Sequence, residues 1–555
     1  MSPVNVSLTS GSPAVVDVVV VGAGFAGLRA LYTLRGQGRK VAVLEAGDDI
    51  GGVWHWNRYP GARCDVESYD YSYAFSPELE QEWRWTQRYA TQPEIKRYIG
   101  HVADRFGLRR DVHLRQRVTR CSWDEEDGRW TVETSAGARW RARYLIWAVG
   151  NLSATKRPDL PGLSAFTGRI LHTAEWPAEP VDVTGLRVGV IGTGSSGMQS
   201  IPILARDAAH LTVFQRTPNF SVPAMHAAIT DEQDAAVKAG YASRRARILA
   251  SPSGLGFRPR KESVLDVAPD ERAAAFEQAW NGAGFGFVLT FRDIMLDEDA
   301  NATAADFIRD KIAGIVEDPE LRELLTPRDH PFGTKRPVVD DGYFATFNRD
   351  DVSLVDIRSD PIERAGAGGL VLASGARHDL DVLVFATGFD AMTGSLLRPE
   401  VTGAGGLTLR AKWSAGPVSY LGLGTHGFPN MFVIAGPGSP ALLINVLVGI
   451  ELHVDWLAAM LTEMDARGAT VAEAGAQAER DWGAHLNSRA AETLYPKARS
   501  YYMGDEVPGK PRGFMLYSGG LRAYRTILAE CAAQGYRGFE FSAAASSSLK
   551  TPGRT

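Results

Sequence analysis

Two strand–turn–helix units, "VVDVVVVGAGFAGLRALYTL" near the start and "LRVGVIGTGSSGMQSIPILA" near the middle, predict an α/β fold with two dinucleotide-binding domains in this 555-residue chain. A third observation sets their order: "DLDVLVFATGFD", an apolar strand ending in Ala386-Thr387-Gly388, reads as the chain returning to the first domain after the second has been inserted in it. Length agrees, because a chain this long exceeds what one hydrophobic core supports.

Each element has its own reason. In the first unit a continuous apolar run is a strand buried on both faces, and apolar positions three and four apart then mark a helix. The turn between them, Gly22-Ala23-Gly24-Phe25-Ala26-Gly27, is GxGxxG: its glycines tighten the turn, admit a pyrophosphate close to the backbone and let helix pack on strand. The N–H groups and positive dipole end of the helix then face the phosphates. The next strand, "KVAVLEAG", ends in Glu45, 23 positions after Gly22, where a carboxylate accepts adenosine ribose hydroxyls. This Rossmann-like unit is assigned to FAD.

The second turn is Gly192-Thr193-Gly194-Ser195-Ser196-Gly197, and the same 23-position count reaches Gln215 with Arg216 after it. A lost acid and a gained cation at the strand end suit a 2′-phosphate, which favours NADP(H) over NAD(H). The plainer reading is that Arg216 snorkels at a surface turn.

Residues 226–335 are helical in pattern ("DERAAAFEQAW", "AADFIRDKIAGIVED") and form a cap inserted in the second domain. The predicted boundaries are 1–14 N-terminal tail, 15–155 first FAD part, 156–225 first NADP part, 226–335 helical insertion, 336–380 second NADP part, 381–540 second FAD part and 541–555 mobile tail. The segment "FTGRILHTAEWP" between the two domains, broken by Gly168 and Pro177, reads as neither a strand nor a good helix.

Composition narrows the function. With 45% hydrophobic and 23% charged residues and a net charge of −5, the chain has no broad basic field for nucleic acid. Its three cysteines, Cys64, Cys121 and Cys531, give neither a CxxC pair nor a zinc spacing, so no metal is expected and a reducing cytoplasm fits. The N-terminus lacks the basic and apolar parts of a signal peptide. The most apolar stretch, "ALLINVLVGIELHVDWLAAML", carries Glu451, His453 and Asp455 and is expected to be a buried helix, not a membrane span.

The chain resembles the type I Baeyer-Villiger monooxygenases, and looks closest to the phenylacetone and steroid monooxygenase branch. The pattern FxGxxxHxxxWP between two Rossmann turns is met by Phe166, Gly168, His172, Trp176 and Pro177; GGxWxxxxYPGxxxD is met from Gly51 through Trp54, Tyr59, Pro60 and Gly61 to Asp65; and "GTKR" followed by an Asn-Arg occurs in "PFGTKRPVVDDGYFATFNRDDV". The resemblance covers about residues 15 to 540, nearly the whole chain.

The resemblance implies an FAD enzyme that uses NADPH and O₂ to insert one oxygen beside a ketone carbonyl, giving an ester or lactone by way of a flavin peroxide. It makes Arg336 the cation beside that peroxide and Asp65 its orienting carboxylate. An arginine suits the task because it stays protonated and offers a planar fork of donors. FAD would be held by Gly22, Gly24, Phe25, Ala26, Gly27, Glu45, Gly52, Val53, Trp54, Asp65, Tyr71, Val118 and Val446. NADP would meet Arg63, Thr193, Gly194, Ser195, Ser196, Gly197, Gln199, Arg216, Thr217, Lys335, Arg336 and Tyr501. Ala441, Leu442 and Leu443, after "GPGSP", stand at an active-site loop whose apolar character suggests a bulky aryl, cyclic or polycyclic ketone. The fingerprint segment is expected to coordinate the two domains, with His172 a structural group and not a catalytic base. Trp54 and Trp56 are read as packing under the cofactor. The expected partners are a small ketone and O₂, with no nucleic acid and no membrane, in a monomer or weak homo-oligomer.

One departure stands out. Where the family commonly reads SWxxGANIPGK this chain has "SYYMGDEVPGK", with Tyr501 in place of the tryptophan and Asp505-Glu506 in place of Ala-Asn. The competing enzyme readings are a flavin N-hydroxylating or S-oxidising monooxygenase, which share both turns but give no reason for Arg336 after "GTK". A disulfide reductase would need a redox cysteine pair, and a dinucleotide sensor would need a partner-binding module.

Overall fold

The structure, a computed structural model, describes residues 12–282, 284–505 and 507–543. The strand Ala14–Val21, four of whose residues are fully buried, pairs in parallel with Val41–Leu44 on one side and Arg139–Trp147 on the other. Its second half, Val18–Val21, has no solvent face, which is why the sequence there does not alternate. Arg129–Thr134 does alternate, and it joins Val118–Asp124 and Arg139–Trp147 in an antiparallel extension of the same sheet. Two later segments return to this sheet: Glu400–Thr402 beside Val118–Asp124, and Met431–Val433 beside Arg139–Trp147.

The second sheet has five parallel strands in the order Val352–Asp356, His210–Gln215, Arg187–Ile191, Val382–Phe385, Arg169–His172. Two expectations are corrected by it. The strand of "DLDVLVFATGFD" does not return to the first domain; it lies inside the second sheet, between Arg187–Ile191 and Arg169–His172. The boundary drawn between residues 380 and 381 therefore moves past Phe385. Four consecutive apolar residues suit the interior of any parallel sheet, so the pattern could not say which sheet would hold them. The fingerprint segment does contain a strand, Arg169–His172, at the sheet edge with a single neighbour, which a short run with half-exposed Ile170 can be.

The insertion is helical as expected, with Asp231–Ala239, Tyr241–Ala250, Pro269–Gly282, Glu298–Ile315 and Pro319–Leu325. A reciprocal capping box between Thr230 and Gln233 opens the first of these. The apolar stretch after Asn445 forms the buried helix Val446–Ala466, whose His453 accepts from the Ala435 N–H (3.1 Å) and pairs with the Tyr524 hydroxyl (2.7 Å). Among the described residues no helix is long and apolar enough to cross a membrane. At the C-terminus Phe539–Ser542 forms a strand with Val471–Ala474, so Phe541 and Ser542 are held in a sheet and do not belong to the tail expected from 541. The rest of that tail, from 544, lies outside the described residues, as do residues 1–11 of the expected N-terminal tail.

Candidate active site

The first turn is built for close approach. Gly22 has φ +102°, and a Cβ there would sit 2.7 Å from the Ala148 carbonyl oxygen. Glu45 braces the turn, accepting from the Ala23 N–H at 2.8 Å and the Gly47 N–H at 2.7 Å. A cavity of about 590 Å³ opens from this turn and runs along Gly22, Gly24, Glu45, Gly52, Val53 and Val118. Its size falls within the range of ligand pockets.

Phe25, Trp54 and Tyr71 do not line that cavity. They pack on one another, Phe25 edge-on to Tyr71 at 5.4 Å and Trp54 donating its indole N–H to the Tyr71 hydroxyl at 3.0 Å. Ala26 and Gly27 follow Phe25 in the helix, and Val446 opens the long helix capped by Asn445. Ala174, Glu175 and Trp176 do line the cavity, so the fingerprint reaches the first nucleotide site directly. Sequence reasoning also missed Arg58, Arg117 and Arg398 on its wall. The Asn57 Oδ1 and Arg58 Nε atoms are buried there with no protein partner, and so fit a polar ligand that offers both a donor, such as a ribose hydroxyl, for the amide oxygen and an acceptor, such as a phosphate oxygen, for the Nε–H.

His172 ties the two domain crossings together. Its Nδ1 accepts from the Ala174 N–H (3.1 Å), and Nε2 lies 3.2 Å from the Lys156 carbonyl and 3.3 Å from the Thr387 hydroxyl. Burial lowers its pKa, which keeps the ring neutral and the tautomer fixed.

The second turn repeats the first. Gly192 has φ +107°, a Cβ there would sit 2.5 Å from the Ala386 carbonyl oxygen, and Thr193 Oγ1 donates to the Thr217 carbonyl at 2.9 Å. Gly194 caps the helix Ser195–Asp207, which also holds Ser196 and Gly197 in its first turn. Gln215 is 3% exposed and donates to the Leu324 carbonyl of the insertion at 2.7 Å.

The two domains meet at the YPG turn. A Cβ on Gly61 would sit 2.2 Å from the Gln199 carbonyl oxygen, Tyr59 donates to Gln199 Oε1 (2.8 Å), and Gln199 Nε2 donates to the Arg63 carbonyl (3.2 Å). The Arg63 guanidinium packs against His226, whose pKa is pushed down to about 4 by burial and that cation. Gln199 and Arg63, both expected at NADP, thus stand at the seam.

Four residues on from Gly61, Asp65 takes both arms of Arg336: Nε to Oδ2 at 2.7 Å and Nη2 to Oδ1 at 3.0 Å. Arg336 Nη1 donates to the Leu442 carbonyl at 2.9 Å, which brings the Ala441–Leu443 turn to the cation. The Phe285 ring of the insertion covers one face of the guanidinium at 4.4 Å. Burial alone would lower the Arg336 pKa, but Asp65 more than offsets it and the net shift is upward. Tyr502, 3% exposed, lies close enough to Arg336 for the cation to act on its hydroxyl, and the Tyr501 ring is tilted against it at 50° with centroids 4.3 Å apart. Lys335 lies close enough to Asp329 and His330 to act on both charges. Asp505 folds back onto the Ser500 N–H (3.3 Å) and Arg512 (3.2 Å), while Glu506 lies outside the described residues. A bidentate, partly buried arginine tied to an apolar turn, between two nucleotide cradles, can stabilise an oxyanion formed on an apolar substrate.

A family model described as pyridine nucleotide-disulphide oxidoreductase matches residues 19–245. That span holds Cys64 and Cys121, both buried and free, and so carries no disulfide. A Baeyer-Villiger monooxygenase of Pseudooceanicola batsensis is 42% identical over 523 residues, covering 94% of this chain and 95% of that one. The phenazine N-monooxygenase PhzNO1 of Lysobacter antibioticus is 41% identical over 526 residues, covering 94% and 96%. Among solved structures, an oxidized steroid monooxygenase bound to NADP is 52% identical with a TM-score of 0.92, covering 95% of this chain and all of that one.

Proposed function

The chain belongs to the Baeyer-Villiger monooxygenases, an FAD- and NADPH-dependent family, and we propose on that premise that Arg336 is its catalytic cation and a hydrophobic ketone its substrate. The product is an ester or lactone. Bound FAD supplies the redox chemistry, accepting hydride from NADPH and activating O₂. The Gly22–Gly27 turn and Glu45 hold its adenosine and pyrophosphate, with Gly52, Val53 and Val118 along the cavity wall.

The observation that carries the reading is the Asp65–Arg336–Leu442 chain of hydrogen bonds. Asp65 fixes the plane of the guanidinium, so its donors point one way before substrate arrives. The link to the Leu442 carbonyl sets the cation beside the Ala441, Leu442 and Leu443 turn, where an apolar ketone loses water and presents its carbonyl oxygen. As the carbonyl carbon is attacked, its oxygen gains negative charge, and a fixed arginine stabilises that charge without reorganising. Phe285 shields one face of the cation from water and strengthens the interaction. Gln199 and Tyr59 couple the second domain to the same YPG turn, so the position of the NADP domain bears on Asp65. Arg216, Thr217 and Lys335 stand where the 2′-phosphate would be held.

The test is a panel of linear, aryl, cyclic and polycyclic ketones with NADPH and air, read by product mass. An ester or lactone heavier than its ketone by one oxygen atom supports the reading. Likeness to a phenazine N-monooxygenase favours N-oxygenation as the second reading, so the panel includes phenazine and an aryl sulfide. Turnover of phenazine with no ketone converted would decide for it.

A further inference from the structure

In the second sheet the strands His210–Gln215 and Val352–Asp356 run in parallel with Gln215 opposite Asp356. Pairing continues one residue further, the Ile357 N–H donating to the Gln215 carbonyl at 2.9 Å. The residues leaving the two strand ends, Arg216 and Arg358, are therefore neighbours although 142 positions apart. In a doubly wound sheet ligands bind outside the carboxyl ends of the strands, and the end of the second strand of the unit faces the adenosine ribose.

Two bonds hold Arg358 in that corner. Its Nε donates to the Arg216 carbonyl at 3.2 Å, and its Nη2 meets Asp329 Oδ2 at 2.7 Å. The other Asp329 oxygen lies 2.7 Å from His330 Nδ1, and Lys335 acts on both residues of that pair. A guanidinium has five N–H donors in a rigid plane, so these two bonds orient the fork and leave the Nη1 edge for a ligand. The side chain is 53% exposed, which a bound phosphate can reach.

We infer that Arg358 is a further cation of the 2′-phosphate site, gripping the adenosine 2′-phosphate of NADP together with Arg216 and Lys335 while Asp329 holds its guanidinium in plane. The inference rests on reading the second turn as the NADP site, and adds to it a residue that belongs to none of the sequence motifs. A 2′-phosphate is doubly charged near neutral pH and offers acceptors to more than one guanidinium.

The test is calorimetric titration of the full-length FAD-loaded protein with NADP⁺ and with NAD⁺, no ketone being needed. Arg358→Ala is expected to weaken NADP⁺ binding roughly three- to tenfold, the modest end for a charge-assisted bond because the group is half exposed, with NAD⁺ changed less than about twofold. Arg358→Lys should recover part of the loss, and added salt should narrow the gap between variant and wild type. NADP⁺ affinity unchanged in Arg358→Ala, or an equal loss for both nucleotides, would overturn the assignment. A wild-type protein that binds NADP⁺ no better than NAD⁺ would instead overturn the NADP reading of the whole turn.

Discussion

The two glycine turns are one backbone device used twice, and they part company at the end of the strand that follows. In both, the first glycine has φ just above +100° and faces a carbonyl oxygen, of Ala148 in one and Ala386 in the other. After the first turn, Glu45 aims its carboxylate back at the turn and secures two backbone N–H groups. After the second, Gln215 turns away into the insertion and bonds the Leu324 carbonyl. The shared backbone geometry is the one that lets a dinucleotide approach. On the proposed reading the strand end sets which kind, with a carboxylate held at the turn for FAD and that place left to cations for NADP.

The largest effects come from breaking one turn at a time. Gly22→Val places a β-branched residue at positive φ against a carbonyl, strain of about 1–3 kcal/mol before the clash is counted. It should yield protein without flavin absorbance, whereas Gly192→Val should stay yellow and lose NADP⁺ binding by calorimetry. If either variant loses both cofactors, the turns are not independent devices and the comparison fails.

A substitution between the turns should spare both. Arg336→Ala should bind FAD and NADP⁺ and still be reduced by NADPH, since hydride transfer depends on the proximity of two rings. Ester formation should fall several hundred-fold, from about 3–4 kcal/mol of lost oxyanion stabilisation, with hydrogen peroxide released in its place. Rapid mixing of the reduced protein with oxygen, followed by product analysis, separates the two halves; normal ester yield would give the cationic role to another residue.

The smallest effect sharpens the strand-end contrast. Gln215→Glu restores the acid by sequence but sets a buried carboxylate against the Leu324 carbonyl, two acceptors with no proton between them. The cost is roughly 1–3 kcal/mol or more, seen as a lower melting temperature with no improved use of NADH. A gain in kcat/KM for NADH at unchanged melting temperature would mean that the side chain can swing to the ribose.

The order of these effects follows how legible each feature was. Both turns, the strands before them, the helical insertion and the buried helix Val446–Ala466 are short-range patterns, and the structure has them where the sequence places them. The strand Val382–Phe385 was legible as a strand yet not as a member of the second sheet, since apolar runs carry no address. Arg169–His172 was missed as a strand because one neighbour is enough to pair an edge segment that has no strong pattern of its own. The ion pair of Asp65 and Arg336 joins residues 271 positions apart, and only resemblance to a family suggested it. No spacing rule links Arg216 with Arg358, or Gln215 with Leu324, and both pairs came to light only in the folded chain.

By itself the sequence determined that this protein builds two dinucleotide cradles, because glycine at a positive φ and an apolar strand before it are requirements of the local backbone, written in adjacent residues. Tertiary structure alone decided what lies between the cradles: the YPG turn pressed on Gln199, the fingerprint lining the first cavity, and Arg336 held by Asp65, Leu442 and Phe285 at once. Those contacts join segments distant in the chain, 271 positions in the case of Asp65 and Arg336 and 106 in that of Arg336 and Leu442. Their energies depend on distance and burial in the finished fold, quantities that no local pattern of residues encodes.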